Sequence, residues 1–122
     1  MEKDTVELTR NAKEVVLAFI DAMNKEDFAT ARKYLATDMT FKGVLGSRDG
    51  AEAYMNDMEK MKFKYDLKKV IADGDDVCLF YDIDMGRVAI FSCGWYQVKD
   101  DKISSFRVIF DPRPVLEQSN KN

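Results

Sequence analysis

The sequence predicts an α+β domain in which three helices pack on one face of a mostly antiparallel sheet. Three observations carry this. Apolar residues recur at three- and four-residue steps from Leu8 to Met23. At Met39 the apolar period switches to two. From Phe63 onward, alternating segments are separated by turn signals at Asp73–Asp76, Met85–Gly86 and Lys99–Asp101. Helices followed by strands, in a chain of 122 residues without repeat or linker, read as one domain over 1–122 with an ordered core at about 5–115.

In chain order, Leu8, Ala12, Val15, Val16, Phe19, Ile20 and Met23 share one helix face, with Arg10, Lys13, Glu14 and Asp21 largely opposite. Asp4 with Glu7 fits a capping pair, which starts this helix just after Asp4. Asn24–Asp27 breaks the pattern. Phe28, Ala31, Tyr34 and Leu35 form a second, shorter stripe. Met39, Phe41, Gly43 and Leu45 alternate as a strand. Gly46–Gly50 reads as a turn, with Ser47 or Asp49 available to cap a third helix striped by Ala51, Tyr54, Met55, Met58 and Met61.

Phe63, Tyr65 and Leu67 alternate with lysines and an aspartate in the next strand. Val77–Asp84 is a strand apolar on both faces, Met85–Gly86 a two-residue hairpin loop, and Val88–Val98 the partner strand. This register sets Asp84 against Arg87, Ile83 against Val88, Phe80 against Phe91 and Cys78 against Cys93. Lys102–Asp111 is the last strand, stopped by Pro112 and Pro114, and residues 117–122 are expected to fray.

Composition excludes whole classes of chemistry. The chain contains no histidine, which removes imidazole bases, Ser-His and Cys-His nucleophiles and imidazole metal sites. Acid–base work falls to Asp, Glu, Tyr, Lys or Cys. No cofactor and no metal are expected, since two cysteines alone build no structural zinc site and no glycine-rich phosphate loop is present. A net charge of −3 attracts neither nucleic acid nor an anionic membrane. The apolar runs fall far short of the ~20 residues that span a bilayer. Met1–Leu8 shows no signal-type hydrophobic segment, and the expected location is the cytoplasm. Cys78 and Cys93 are therefore expected to be neighbours but reduced.

The order and spacing of several short motifs resemble the SnoaL-like branch of the superfamily that includes nuclear transport factor 2. The carriers are Asn24, Asp27 and Phe28; Ala31, Tyr34, Leu35, Asp38, Met39 and Phe41; Gly50, Ala51, Ala53 and Tyr54; Asp73, Gly74, Asp75 and Val77; Asp101–Ile103; and Phe110–Pro112. The resemblance spans roughly residues 8–115. It implies a strongly curved sheet wrapped around the helices as a cone with a pocket. In the ketosteroid isomerase branch, three positions carry the catalytic tyrosine and two aspartates. They fall here on Phe19, Gly43 and Gly94, so that activity does not transfer. The dehydratase and cyclase branches pair Asp with a His that this chain lacks.

The same alignment fixes which side chains enter the cone. The expected pocket is Phe19, Tyr54, Met58, Tyr81, Ser92, Gly94, Tyr96 and Phe110, apolar with a few hydroxyls. Its expected ligand is a small apolar molecule carrying a hydroxyl or carbonyl group. For Ile103 to face inward together with Phe106, Val108 and Phe110, a bulge must lie near Ser104–Ser105. No carboxylate enters the pocket on this reading; Asp38, Asp82, Asp84 and Asp111 sit at strand ends or on the outer face. That outer face carries Phe80, Asp82, Phe91, Trp95, Arg107 and Ile109. It is too apolar to leave in water, and a homodimer interface is expected there. The alternatives are an enzyme, a lyase, isomerase or cyclase, using Tyr and Asp, and a filled cone serving only as a dimeric interaction module.

Overall fold

A computed structural model describes residues 11–120. The capping pair Asp4–Glu7 and the stripe residue Leu8 lie outside the described residues. Helix α1 (Ala12–Asn24) is capped by Asn11, whose side chain accepts from the Glu14 amide at 2.8 Å while the Glu14 carboxylate accepts from the Asn11 amide at 3.1 Å. This reciprocal pair satisfies two amides that no helical carbonyl reaches. Val15, Val16, Phe19, Ile20 and Met23 form its buried face, as the periodicity predicts.

Helix α2 (Phe28–Lys33) begins at Asp27, whose side chain accepts from the Thr30 amide. It ends earlier than the apolar stripe suggests, because Leu35 already pairs with Ile103 in strand β1 (Leu35–Lys42). The predicted turn at Gly46–Gly50 contains a short edge strand, β2 (Ser47–Asp49), antiparallel to β1. Helix α3 (Ala51–Met61) follows. Its N-cap is Gly50 at φ +94°, with no side-chain cap, so neither Ser47 nor Asp49 plays that part. Both are committed to β2. Arg32 of α2 bonds both Glu52 and Glu59 of α3, which ties the two helices together.

The remaining strands are β3 (Lys64–Asp73), β4 (Asp76–Asp84), β5 (Ala89–Lys99) and β6 (Lys102–Phe110). The sheet order is β2-β1-β6-β5-β4-β3; among the described residues only the β1–β6 pair is parallel. Beyond the three predicted helices lies a fourth, α4 (Arg113–Asn120). Pro112 and Pro114 end the strand but do not prevent this helix: proline tolerates a first turn, where its missing N–H has no helical partner anyway.

Register breaks bend the sheet. Gln97 faces Ser105 and Val98 faces Ile103, so Ser104 is the extra residue of a bulge in β6, at the position inward packing requires. Further breaks lie between Leu67 and Lys69 and between Leu35 and Thr40. Each turns its strand and adds twist. The concave face is filled by α1 and α3 against Val77, Leu79, Tyr81, Ile83, Tyr96, Ile103, Phe106 and Val108, all buried.

The β4–β5 hairpin corrects one expectation. Its two central residues are Gly86 and Arg87, not Met85 and Gly86, and the Met85 amide donates to the Val88 carbonyl at 2.8 Å. Gly86 sits at φ +95°, the conformation wanted at the first central position of a two-residue hairpin. Asp84 therefore faces Ala89, Ile83 faces Ile90, Phe80 faces Cys93 and Cys78 faces Trp95. The pairing moves by two residues. Cys78 and Cys93 are offset rather than opposed, and both are free thiols. A two-residue shift leaves every side chain on its expected face.

Asn24, at the C-terminal end of α1, closes the helix layer onto the sheet. Its side-chain amide donates to the Tyr65 carbonyl at 2.9 Å, and its carbonyl accepts from the Tyr65 amide at 2.7 Å. It thus occupies the ladder position that an adjoining strand would fill. Replacing it (Asn24→Ala) strands two backbone groups at a half-buried site, and urea unfolding is expected to show a loss of about 1–3 kcal/mol.

Candidate functional site

The cone contains a cavity of about 320 Å³ opening between α3, the β1–β2 loop and the β4–β5 hairpin. Its inner surface is aromatic. Phe106 stands at the centre, stacked on Tyr96 at 4.7 Å between ring centroids and edge-on to Tyr54 at 5.1 Å, with Phe41 at 5.0 Å. Tyr65 meets Tyr81 edge-on at 5.1 Å. Val44, Leu45, Met61, Phe63 and Met85 ring the mouth.

Four tyrosines supply the inner polarity. The Tyr81 and Tyr96 hydroxyls are hydrogen-bonded at 2.9 Å, and those of Tyr54 and Tyr65 interact with each other. Burial pushes the Tyr65 phenol up to about 12 and those of Tyr54, Tyr81 and Tyr96 well above their ordinary value. All four stay neutral through the physiological range. They act as hydrogen-bond donors and acceptors, not as phenolate bases. In the Tyr81–Tyr96 pair one hydroxyl proton is used between the two oxygens, which leaves one for an acceptor lodged in the cavity.

Of the residues expected in the pocket, Tyr54, Met58, Tyr81, Tyr96 and Phe110 line the cavity. Phe19, Ser92 and Gly94 lie behind its wall. Phe19 is buried in the helix–sheet core, edge-on to Phe106 at 6.3 Å. The Ser92 hydroxyl donates to the Ile90 carbonyl of its own strand at 3.0 Å. Gly94 points inward, but the space above it is occupied. A Cβ there would stand 2.6 Å from the Tyr81 hydroxyl and 2.7 Å from Tyr96 Cε1. The missing side chain makes room for the tyrosine pair, not for a ligand.

Four polar lining residues escaped the sequence reading: Tyr65, Ser47, Arg48 and Asp57. Tyr65 lines the cavity because β3 pairs Tyr65 with Ile83. Asp57 follows Tyr54 by three residues and precedes Met58, so helical spacing alone puts it on the lining face of α3. Arg48 of β2 holds it, Nε to Oδ2 at 2.7 Å, and Arg48 Nη1 donates to the Ser47 carbonyl. This ion pair is the only charge lining the cavity among the described residues. The other aspartates stand elsewhere. Asp38 is exposed on β1, Asp82 is on the outer face, and Asp84 accepts from the Gly86 amide. Asp111 is held down to about 2 by its bonds to Arg113. Among the described residues no cluster of His, Cys, Asp and Glu is arranged to hold a metal ion.

The expected interface residues do share the outer face. Phe91, Trp95 and Ile109 are 62%, 42% and 63% exposed, Phe80 stacks on Phe91, and Trp95 Nε1 donates to Asp76. Arg107 faces Trp95, and Asp82 faces Phe91. Among the described residues no helix is long and apolar enough to cross a membrane.

The model for the SnoaL-like domain matches residues 16–106. The chain belongs to the SnoaL-like domain family. An NTF2-like protein of unknown function from Cytophaga hutchinsonii is 47% identical, with 88% of this chain and 96% of that chain covered at a TM-score of 0.86. A protein from Kribbella flavida is 26% identical over 93% and 96%, at 0.81. An LEH-like epoxide hydrolase from M. tuberculosis is 25% identical over 87% and 86%, at 0.76. No curated protein matches. The SnoaL-like cone is therefore shared with proteins of several descriptions, and function has to be argued from the cavity.

Proposed function

We propose that this SnoaL-like domain binds a small, largely apolar molecule whose hydroxyl or carbonyl oxygen accepts from the Tyr81–Tyr96 pair. The observation that carries the reading is an open cavity with aromatic walls and neutral hydroxyls at its inner end. Apolar contact supplies the affinity, and one placed hydrogen bond sets the orientation. An open cavity also argues against a filled cone that serves only to make contacts. The enzymatic reading draws on Asp57, which reaches the lining from the same helix as Tyr54. Its pairing with Arg48 favours a positioning role in binding.

Naphthol, two fused apolar rings with one hydroxyl, tests the reading by fluorescence titration. Wild-type protein is expected to bind it and return it chemically unchanged. Tyr96→Phe is expected to weaken binding by about 0.5–1.5 kcal/mol, roughly two- to twelvefold. Equal affinity in wild type, Tyr96→Phe and Tyr81→Phe would refute the assigned orientation; conversion of the probe would favour the enzymatic reading.

We further propose that the outer sheet face pairs with a second copy. Phe80, Phe91, Cys93 and Ile109 border an apolar hollow beside exposed Trp95, and Arg107 and Asp82, the latter 3.8 Å from Lys68 Nζ, place opposite charges on the same face for a two-fold partner. Light scattering at micromolar concentration is expected to give twice the 14.0 kDa chain mass for wild type and the single-chain mass for Phe91→Asp. A monomeric wild type would overturn this assignment.

A further inference from the structure

The α4 helix stands in an unusual relation to the rest of the fold. No described side chain of α4 is fully buried, and among the described residues α4 packs extensively on no other element. Eight residues are too few for a helix to be stable alone in water, where roughly 12–15 are marginal. Its attachments are local. The Leu116 amide donates to the Pro112 carbonyl, and Asp111 accepts from the Arg113 amide at 3.0 Å and from its guanidinium Nη2 at 2.6 Å. These bonds set the direction in which α4 leaves β6.

α4 meets the cavity through Val115. Val115 is half-buried and lines it, whereas the next residue, Leu116, is 47% exposed and does not. Across the opening, Val44, Leu45 and Met61 are apolar, largely exposed and also part of the lining. A helix with an apolar foothold over an apolar rim gains contact area when the cavity fills. An occupied cavity gives Val115 a neighbour that the empty one lacks.

We infer that α4 is a lid: it pivots at Asp111–Pro114, rests on the cavity mouth through Val115, and closes on a bound apolar molecule. The inference rests on the cavity being the ligand site. Coupling of this kind is reciprocal, so a ligand that holds α4 down is itself held by α4. Segments with few buried contacts open at low free energy, which suits a gate. The lid governs mainly how fast a ligand leaves, while the tyrosines govern how it is oriented.

The test uses the full-length chain in two arms. In the first, stopped-flow fluorescence follows naphthol release. Val115→Asp is expected to release it at least tenfold faster than wild type. Leu116→Asp is expected to stay within twofold, and Tyr96→Phe to weaken binding while retaining the effect of Val115→Asp. Wild-type release from Val115→Asp would overturn the lid. The second arm needs no ligand. In chains carrying Cys78→Ser and Cys93→Ser, the thiol of Val115→Cys is expected to react with an aromatic disulfide reagent at least tenfold more slowly than that of Leu116→Cys. Its rate should also level off with reagent concentration, as an opening-limited site requires. Equal, unsaturated rates would overturn the lid whether or not naphthol binds. Failure of naphthol to bind wild type, with the thiol difference intact, would overturn the ligand assignment instead.

Discussion

The contact on which the cavity depends is the hydroxyl pair of Tyr81 and Tyr96 over Gly94. Two tyrosines from adjacent strands point to the same side of the sheet, and their hydroxyls meet at 2.9 Å. They can do so only because residue 94, between them on β5 and facing the same side, has no side chain. Neither ring can swing clear: Tyr96 is stacked on Phe106 and Tyr81 is edge-on to Tyr65. Burial keeps both phenols neutral, so the pair presents a proton to the cavity without introducing a charge into an apolar wall. Position, protonation state and chemistry follow from one glycine and its two neighbours.

The surrounding fold serves that arrangement by curving. A flat sheet would bury its concave residues against helices and leave no space. Bulges at Ser104 and between Leu67 and Lys69 bend the strands that flank β4 and β5. Asn24 closes one side by supplying Tyr65 with a substitute ladder bond, and Arg32 braces α2 against α3. The helices therefore fill the rear of the cone, around Phe19 and Phe106, while the front stays open. Polarity is graded along the cavity, with hydroxyls within, aromatic walls and the Arg48–Asp57 ion pair.

The faces of the sheet were legible in the sequence because side-chain alternation has a period of two. The hairpin pairing predicted from Met85–Gly86 was off by two residues, yet Leu79, Tyr81, Ser92 and Tyr96 still point inward. The bulge at Ser104–Ser105 could be anticipated from the need to bury both Ile103 and Phe106. Other features leave weaker traces. Strand β2 is three exposed residues long and shows no alternation; only its pairing with Thr40–Lys42 makes it a strand. Helix α4 follows Pro112, holds Pro114 in its first turn and has little apolar content. Gly94 was expected in the pocket lining because its neighbours' side chains cannot be placed from sequence, and the structure shows that Tyr81 and Tyr96 fill the space above it. Asp57 was legible in principle, three residues after Tyr54 on one helix face, but its pairing with Arg48 depends on the β1–β2 connection.

The substitution Gly94→Ala tests the central contact by the sign of its effect. Glycine within a strand is normally unfavourable relative to alanine by roughly 0.5–1 kcal/mol, so an unconstrained position gains stability on this change. Here the added methyl would meet the Tyr81 hydroxyl and the Tyr96 ring well inside contact distance. Overpacking of this kind typically costs ~1–3 kcal/mol. Urea unfolding of the variant, with near-ultraviolet circular dichroism reporting the tyrosine environment, is expected to show a loss of stability and an altered aromatic signal. A variant as stable as wild type or more so, with an unchanged tyrosine spectrum, would contradict the account.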